Sequence, residues 1–332
     1  MKLAPILLSL AALGCSAARH NSGFGADSDG GGAISEGAPD GGPGGGGPVV
    51  GSNGDASTGP AGTILYAHTA KELFKLDPLH IASPMVSVGT FDCIGGASGP
   101  SSMTDIAVSK GGALYAVSTQ GAYPLELAGG GKVHCTATWP LPSTHSNFYG
   151  LSMAPENTVD VAEVLIAAND IGQLFRIDAT TGATTPVGTM GTDPITSKAW
   201  GLSGDIVFLA NKGSPIAFAA VCPVGSCGGT DTLVELDVGL MTSGSTASTL
   251  KVVRGPVNKG AWCTNAKSPA TFGSMFGIAA YDDKVYGFSN KGDLVEIHND
   301  DGSACLVTSY PNTSFKGAGV TTSAPVVAPP AK

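Results

Sequence analysis

Apolar and polar positions alternate with a period of two in five places along this chain, and the five places share one design. Each opens with a short β-branched or aromatic segment and continues, after a turn, into a second that in three copies ends on aspartate (Asp77, Asp178 and Asp237). The pairs read ILYAHT then ELFKLD at 64 to 77, ALYAVS then YPLELA at 113 to 128, VLIAAN then QLFRID at 164 to 178, IVFLAN then TLVELD at 206 to 237, and KVYGFS then DLVEIH at 284 to 298. Such alternation predicts half-buried strands, because successive side chains on a strand point to opposite faces. A third element precedes most copies: MTDIAV at 103, FYGLSM at 148, AWGLSG at 199 and MFGIAA at 275, each a bulky residue, then Gly or Asp, then an aliphatic one. A fourth follows each pair, in MVSVGT, KVHCTA, TPVGTM, LKVVRG and CLVTSY.

Four strands per repeat describe a propeller blade, with the small residues of the third element suited to innermost strands that crowd around a central axis. The expected fold is therefore all-β: a β-propeller over residues 63–322 built of five four-stranded blades. The first copy lacks its innermost strand, and GAGVTT at 317 to 322 matches that element without a following blade. The two ends are expected to complete one blade together, with the last strand beside residues 64 to 69, which removes an exposed sheet edge. The long interval from Gly201 to Gly277 is read as containing an insertion around residues 213 to 230, a degenerate sixth blade being the alternative. The repeats, above all LFRIDATTGATTPVG at 174 to 188, resemble those of bacterial secreted β-propeller proteins of the YVTN and quinoprotein-like superfamily. That resemblance implies the fold and brings no catalytic motif with it.

A different pattern occupies the amino terminus. Met1 and Lys2 precede an apolar run from Leu3 to Leu13, too short to span a bilayer but suited to a signal-peptide core. The run ends in Ala11, Ala12, Leu13, Gly14 and Cys15, which resembles the bacterial lipobox. The resemblance implies a lipoprotein signal peptide over 1–14, diacylglycerol on Cys15 and attachment to a membrane. Ser16 in place of Asp implies the outer membrane of a Gram-negative host, on its periplasmic face or the cell surface. Ordinary cleavage near Ala17 or Ala18, releasing a soluble protein, is the alternative. Cysteine parity favours the lipid: seven cysteines less Cys15 leave six that can pair in an oxidising compartment. Residues 15–62 are dominated by Gly, Ser, Asp and Pro and read as a disordered tether, and residues 323–332 as a disordered Pro-rich tail.

Composition narrows the partners. A net charge of -9 without a basic stripe excludes nucleic acid. Cys93 and Cys135 stand 42 positions apart, as do Cys263 and Cys305, which predicts two equivalent disulfides, with Cys222 and Cys227 paired inside the insertion. None of these spacings suits a metal site, and no cofactor or metal is called for.

Ligands of propellers sit at the mouth of the central channel, just before the innermost strands. The residues expected there are Thr104, Tyr149, Trp200 and Phe276, whose aromatic members could stack on a flat ligand or pack between blades, and Asp105, which could accept hydrogen bonds from a ligand or from loop amides. The recurrent Asp77, Asp178 and Asp237 are read as turn residues bonding their own backbone. The histidines at 20, 68, 80, 134, 145 and 298 share no repeat position and receive no role. With no catalytic residues called, the leading expectation is a monomeric, non-enzymatic envelope lipoprotein whose propeller binds a protein or a glycan. A propeller enzyme of hydrolase or quinoprotein-like type and a purely structural surface protein are the alternatives.

Overall fold

Strands account for nearly all regular structure in the computed structural model, which describes residues 63–96, 99–142, 147–209, 215–282 and 284–324. The chain divides into two units, Met1–Asn53 and Gly54–Lys332, and every described residue belongs to the second. The expected signal peptide, Cys15 and tether (1–62) lie outside the described residues, as does the tail beyond 324. Helical structure among the described residues is confined to two 3-10 turns, Pro78–His80 and Val238–Leu240, and no helix there is long and apolar enough to cross a membrane.

The first sheet holds β1 (Leu65–His68), β2 (Glu72–Leu76) and β3 (Val86–Phe91), then β4 (Met103–Val108), β5 (Leu114–Ser118), β6 (Gly121–Gly129), β7 (Lys132–Cys135) and β8 (Trp139–Pro140). Within it β3 and β7 meet in parallel, while the other pairings are antiparallel. A second sheet runs through β9 (Phe148–Ala154), β10 (Val164–Asn169), β11 (Gln173–Ile177) and β12 (Thr184–Thr189). The third contains β13 (Trp200–Leu209), β14 (Ile216–Pro223) and β15 (Thr232–Leu236); the next strand, β16 (Ser245–Ser248), joins β12, and β17 (Leu250–Pro256) completes the third. The fourth is β18 (Met275–Tyr281), β19 (Lys284–Ser289), β20 (Asp293–Ile297) and β21 (Ala304–Ser309). The last strand, β22 (Gly317–Val320), returns to the first sheet and pairs with β1, Leu65 opposite Val320 and His68 opposite Gly317.

Burial falls from one side of each sheet to the other. Every residue of β4 and β13 is buried, whereas β3, β7, β16 and β17 carry several exposed positions. The buried strands β22, β4, β9, β13 and β18 pack one against the next, and β18 packs back on β22, so they form a closed cycle. Close backbone approach makes that cycle possible: a Cβ on Gly204 of β13 would stand 1.6 Å from the Met275 carbonyl oxygen of β18.

The segment 213–230, expected as an insertion, contains the regular strand β14, and IVFLAN is not a separate second strand. Ile206–Leu209 continue β13 beyond a register shift between Leu202 and Ile206. The reason β14 escapes a period-two reading is its burial: the inner six residues of IAFAAVCP are all buried, so both faces are apolar and no alternation survives.

The three cysteine pairings are present as disulfides, Cys93–Cys135, Cys222–Cys227 and Cys263–Cys305. Cys93 follows β3 and Cys263 follows β17, and their partners sit in β7, between β3 and β6, and in β21, the edge of the fourth sheet, so each bridge ties a loop to a later strand. Three aspartates cap turns: Asp77 accepts from the Leu79 amide at 2.9 Å, Asp178 from the Thr180 and Thr181 amides at 2.9 and 2.7 Å, and Asp237 from the Gly239 amide at 2.9 Å. His80 and His134 lie at the surface beside Asp77 and Asp92.

Candidate functional site

At one end of the strand cycle the loops leave a cavity of about 610 Å³. Thr104, Tyr149 and Phe276, each the second residue of its strand, line it, together with Asp170, Ser203 and Lys316. Such a volume falls within the range of small-molecule pockets. Farther along the same strands only about 20 Å³ remains, between side chains such as Ile106, Val108, Met153 and Ile278. The cavity is therefore a blind cup at the mouth of a filled core.

Two residues expected at the mouth lie elsewhere. Trp200 is 3% exposed and packs in a cluster with Met190, Leu202 and Val221, because the strand start that carries it turns its ring between sheets. Asp105 is fully buried beneath the cup. Its Oδ1 accepts from the Ile106 amide at 2.8 Å and its Oδ2 from the Leu151 amide of the neighbouring β9 at 2.5 Å, so it bonds strand amides. Asp205, not singled out in the sequence, repeats the arrangement: it accepts from Ile206 at 2.5 Å and from Ile278 of the neighbouring β18 at 2.8 Å. Each aspartate precedes an isoleucine at or within a register shift, a shared Asp-Ile signal that was legible in the chain.

These two carboxyls are hydrogen-bonded to one another across the cycle, which requires a shared proton. Burial, followed by the charge of Asp205, holds Asp105 well above the carboxylate range. Burial pushes Asp205 up to about 7. His68 lies close by: a Cβ on Gly317 would stand 2.2 Å from Asp105 Oδ1 and 2.3 Å from His68 Nε2, which leaves glycine as the residue that fits. The His68 Nδ1–H donates to the Thr69 carbonyl at 2.8 Å, Nε2 is buried without a partner, and burial lowers the ring pKa to about 4. Behind the residues that line the cup lies a buried polar layer of one uncharged imidazole and two carboxyls that hold at least one proton.

Most hydroxyls around the cup bond the protein itself. Thr104 Oγ1 donates to the Val117 and Phe148 carbonyls at 3.0 and 2.9 Å, and Ser203 Oγ donates to Asp231 at 2.5 Å. Asp231 also accepts from the Met275 amide at 2.7 Å, and burial raises its pKa. Two charged side chains on the wall are less engaged. Lys316 Nζ stands 4.9 Å over the Phe276 ring, and Asp170 keeps one long contact, 3.5 Å from Asn147 Nδ2 to Oδ2, while Oδ1 has no partner. Burial and the nearby Asp170 raise the Tyr149 pKa. No periodicity points to Asp170 or Lys316, since one sits in a turn and the other just ahead of β22. The single grouping of acid and thiol residues at metal-ligand spacing among the described residues, Asp92 with Cys93 and Cys135, has its sulfurs joined in a disulfide and offers no thiolate.

No family model matches the sequence, and no curated protein matches it. Among solved structures the chain is similar to the major allergen Mala s 1 of Malassezia sympodialis, at 13% identity and a TM-score of 0.39, over 74% of this chain and 75% of that one. It is also similar to BBS1N in its complex with ARL6DN, at 9% identity and a TM-score of 0.35, over 74% of this chain and 65% of that one.

Proposed function

We propose that the described unit is a five-bladed β-propeller acting as a non-enzymatic binding module, with the mouth cup as its ligand site. The strand cycle supports this reading: with β22 taken as completing the sheet of β1, β2 and β3, the nine-stranded sheet divides into two sets of four beside the other three sheets. One observation carries the binding role: a blind cup of about 610 Å³ set at the converging inner strands and walled by Tyr149 and Phe276. Half-exposed rings around a concave space offer flat apolar contact to a sugar face or a peptide side chain. A binding role also accords with the bonding of Thr104 and Ser203, whose hydroxyls are held by the protein's own acceptors.

In this reading the protein is an exported lipoprotein of the cell envelope, tethered through Cys15, and it captures a protein or glycan ligand. Three disulfides accord with folding in an oxidising, extracytoplasmic compartment. The anchor is tested by intact mass and membrane fractionation: the native chain should carry diacylglyceryl on Cys15 and sediment with membranes, and a Cys15→Ser variant should do neither. The binding role is tested by probing glycan and peptide arrays with the full chain and with Tyr149→Ala and Phe276→Ala. Saturable capture that both variants lose by tenfold or more supports it. Capture unaffected by either variant, or no capture, refutes it.

A further inference from the structure

We infer that the mouth cup selects a small zwitterion, a short peptide with free amino and carboxyl ends, and that Asp170 and Lys316 read its two charges. This rests on the reading of the cup as a ligand site and gives that site a chemistry. The two side chains stand on different walls. Asp170 lies in the turn between β10 and β11, and Lys316 immediately precedes β22, which is separated from β9 in the strand cycle by β4 on one side and by β13 and β18 on the other. No ion pair links them, and among the described residues neither has an ion-pair partner.

Each nevertheless acts on an aromatic ring of the wall. The Lys316 ammonium lies over Phe276, and Asp170 is near enough to Tyr149 for its charge to act on the phenol. A cation on a ring face keeps its other N–H groups free for an anion. The Asp170 carboxylate has a single long contact and an oxygen without a partner, and its terminal torsion is soft, so a small rotation presents either oxygen to a donor.

A partly buried charge is costly until it is paired and hydrogen-bonded. A ligand that brought only an anion would satisfy Lys316 and leave Asp170 in the closed cup, and a purely cationic ligand would do the reverse. A zwitterion answers both, and an apolar body between its ends fits between Tyr149 and Phe276. Beneath the cup the His68 ring is uncharged at neutral pH, and the Asp105–Asp205 pair, which holds at least one proton, carries at most one negative charge.

The test is isothermal titration of the full chain with the tripeptide alanyl-phenylalanyl-alanine in four forms: free, N-acetylated, C-amidated and doubly capped. The free form should bind best, with each cap weakening binding tenfold or more. Asp170→Asn should erase the difference between free and acetylated amines while keeping the preference for a free carboxylate. Lys316→Gln should erase the complementary difference. Equal binding of all four forms, lost in Tyr149→Ala, would overturn the charge reading while leaving the cup as a site. No binding of any form, with array ligands still captured in a Tyr149-dependent way, would do the same. Equal binding of all four forms by both wild type and Tyr149→Ala would overturn this inference and place the peptide outside the cup.

Discussion

Replacing Asp205 by asparagine should change how stability responds to pH, with a sign set by the burial of its carboxyl. In the folded chain the Asp205 pKa is about 7 against 3.8 unfolded. Between those values the folded state holds a proton that the unfolded state has released, so stability falls as pH rises through the window. About three pKa units at roughly 1.4 kcal/mol each give about 4 kcal/mol, and the raised Asp105 acts in the same direction. His68 works oppositely. Its folded pKa of about 4 lies below 6.5, so the unfolded state takes up the proton first, and stability rises by about 3 kcal/mol from pH 4 to 6.5. Asp205 and Asp105 together outweigh His68, so wild-type stability falls across this window, and the difference between the two proteins isolates the Asp205 part. Asparagine cannot titrate, but its one oxygen cannot accept from both the Ile206 and Ile278 amides, a fixed loss of about 1 to 3 kcal/mol. Asp205→Asn should therefore be less stable than wild type at pH 4 and as stable or more so at pH 7.5. Urea unfolding of both proteins at pH 4, 5.5 and 7.5, disulfides intact, measures it. A stability difference that stays constant across that range would refute the shared-proton floor.

Three further outcomes follow from the packing. Gly204→Ala drives a methyl into the Met275 carbonyl and should lower stability by about 1 to 3 kcal/mol or more, read as a fall in the urea midpoint; an unchanged midpoint would mean the inner strands are not held this closely. Cys263→Ser with Cys305→Ser opens a 42-residue separation and should cost about 4 kcal/mol in the same assay without altering far-ultraviolet circular dichroism. Ending the chain after Lys316 deletes β22, exposes β1 and the flanks of β4 and β18, and should abolish a cooperative unfolding transition, whereas retention of a sharp transition would speak against terminal closure.

What the sequence revealed and what it concealed divide along physical lines. Strands with one face toward solvent, such as β2 and β11, announced themselves by alternation, and the tight inner elements by glycine beside a bulky residue. The closing role of GAGVTT was readable because the first copy lacked a partner for that same element. Strand β14 was hidden because burial on both faces erases alternation. The mouth was half legible. Thr104, Tyr149 and Phe276 reach the cup from equivalent strand positions, but Trp200, at the same point in its repeat, turns into the core where a large ring fills space between sheets. Asp170 and Lys316 come from loops whose direction no periodicity encodes, and the meeting of Asp105 with Asp205 depends on ring closure, a long-range consequence of all the repeats together.

The central claim is that the cup between Tyr149 and Phe276 is where this protein takes its ligand. The most direct measurement is a crystal structure of the full chain soaked with a ligand captured on the arrays. Difference density between the two rings, within hydrogen-bonding reach of Asp170 or Lys316, is the predicted result. Ligand density on an outer strand or a sheet edge, with the cup holding only water, would contradict the account.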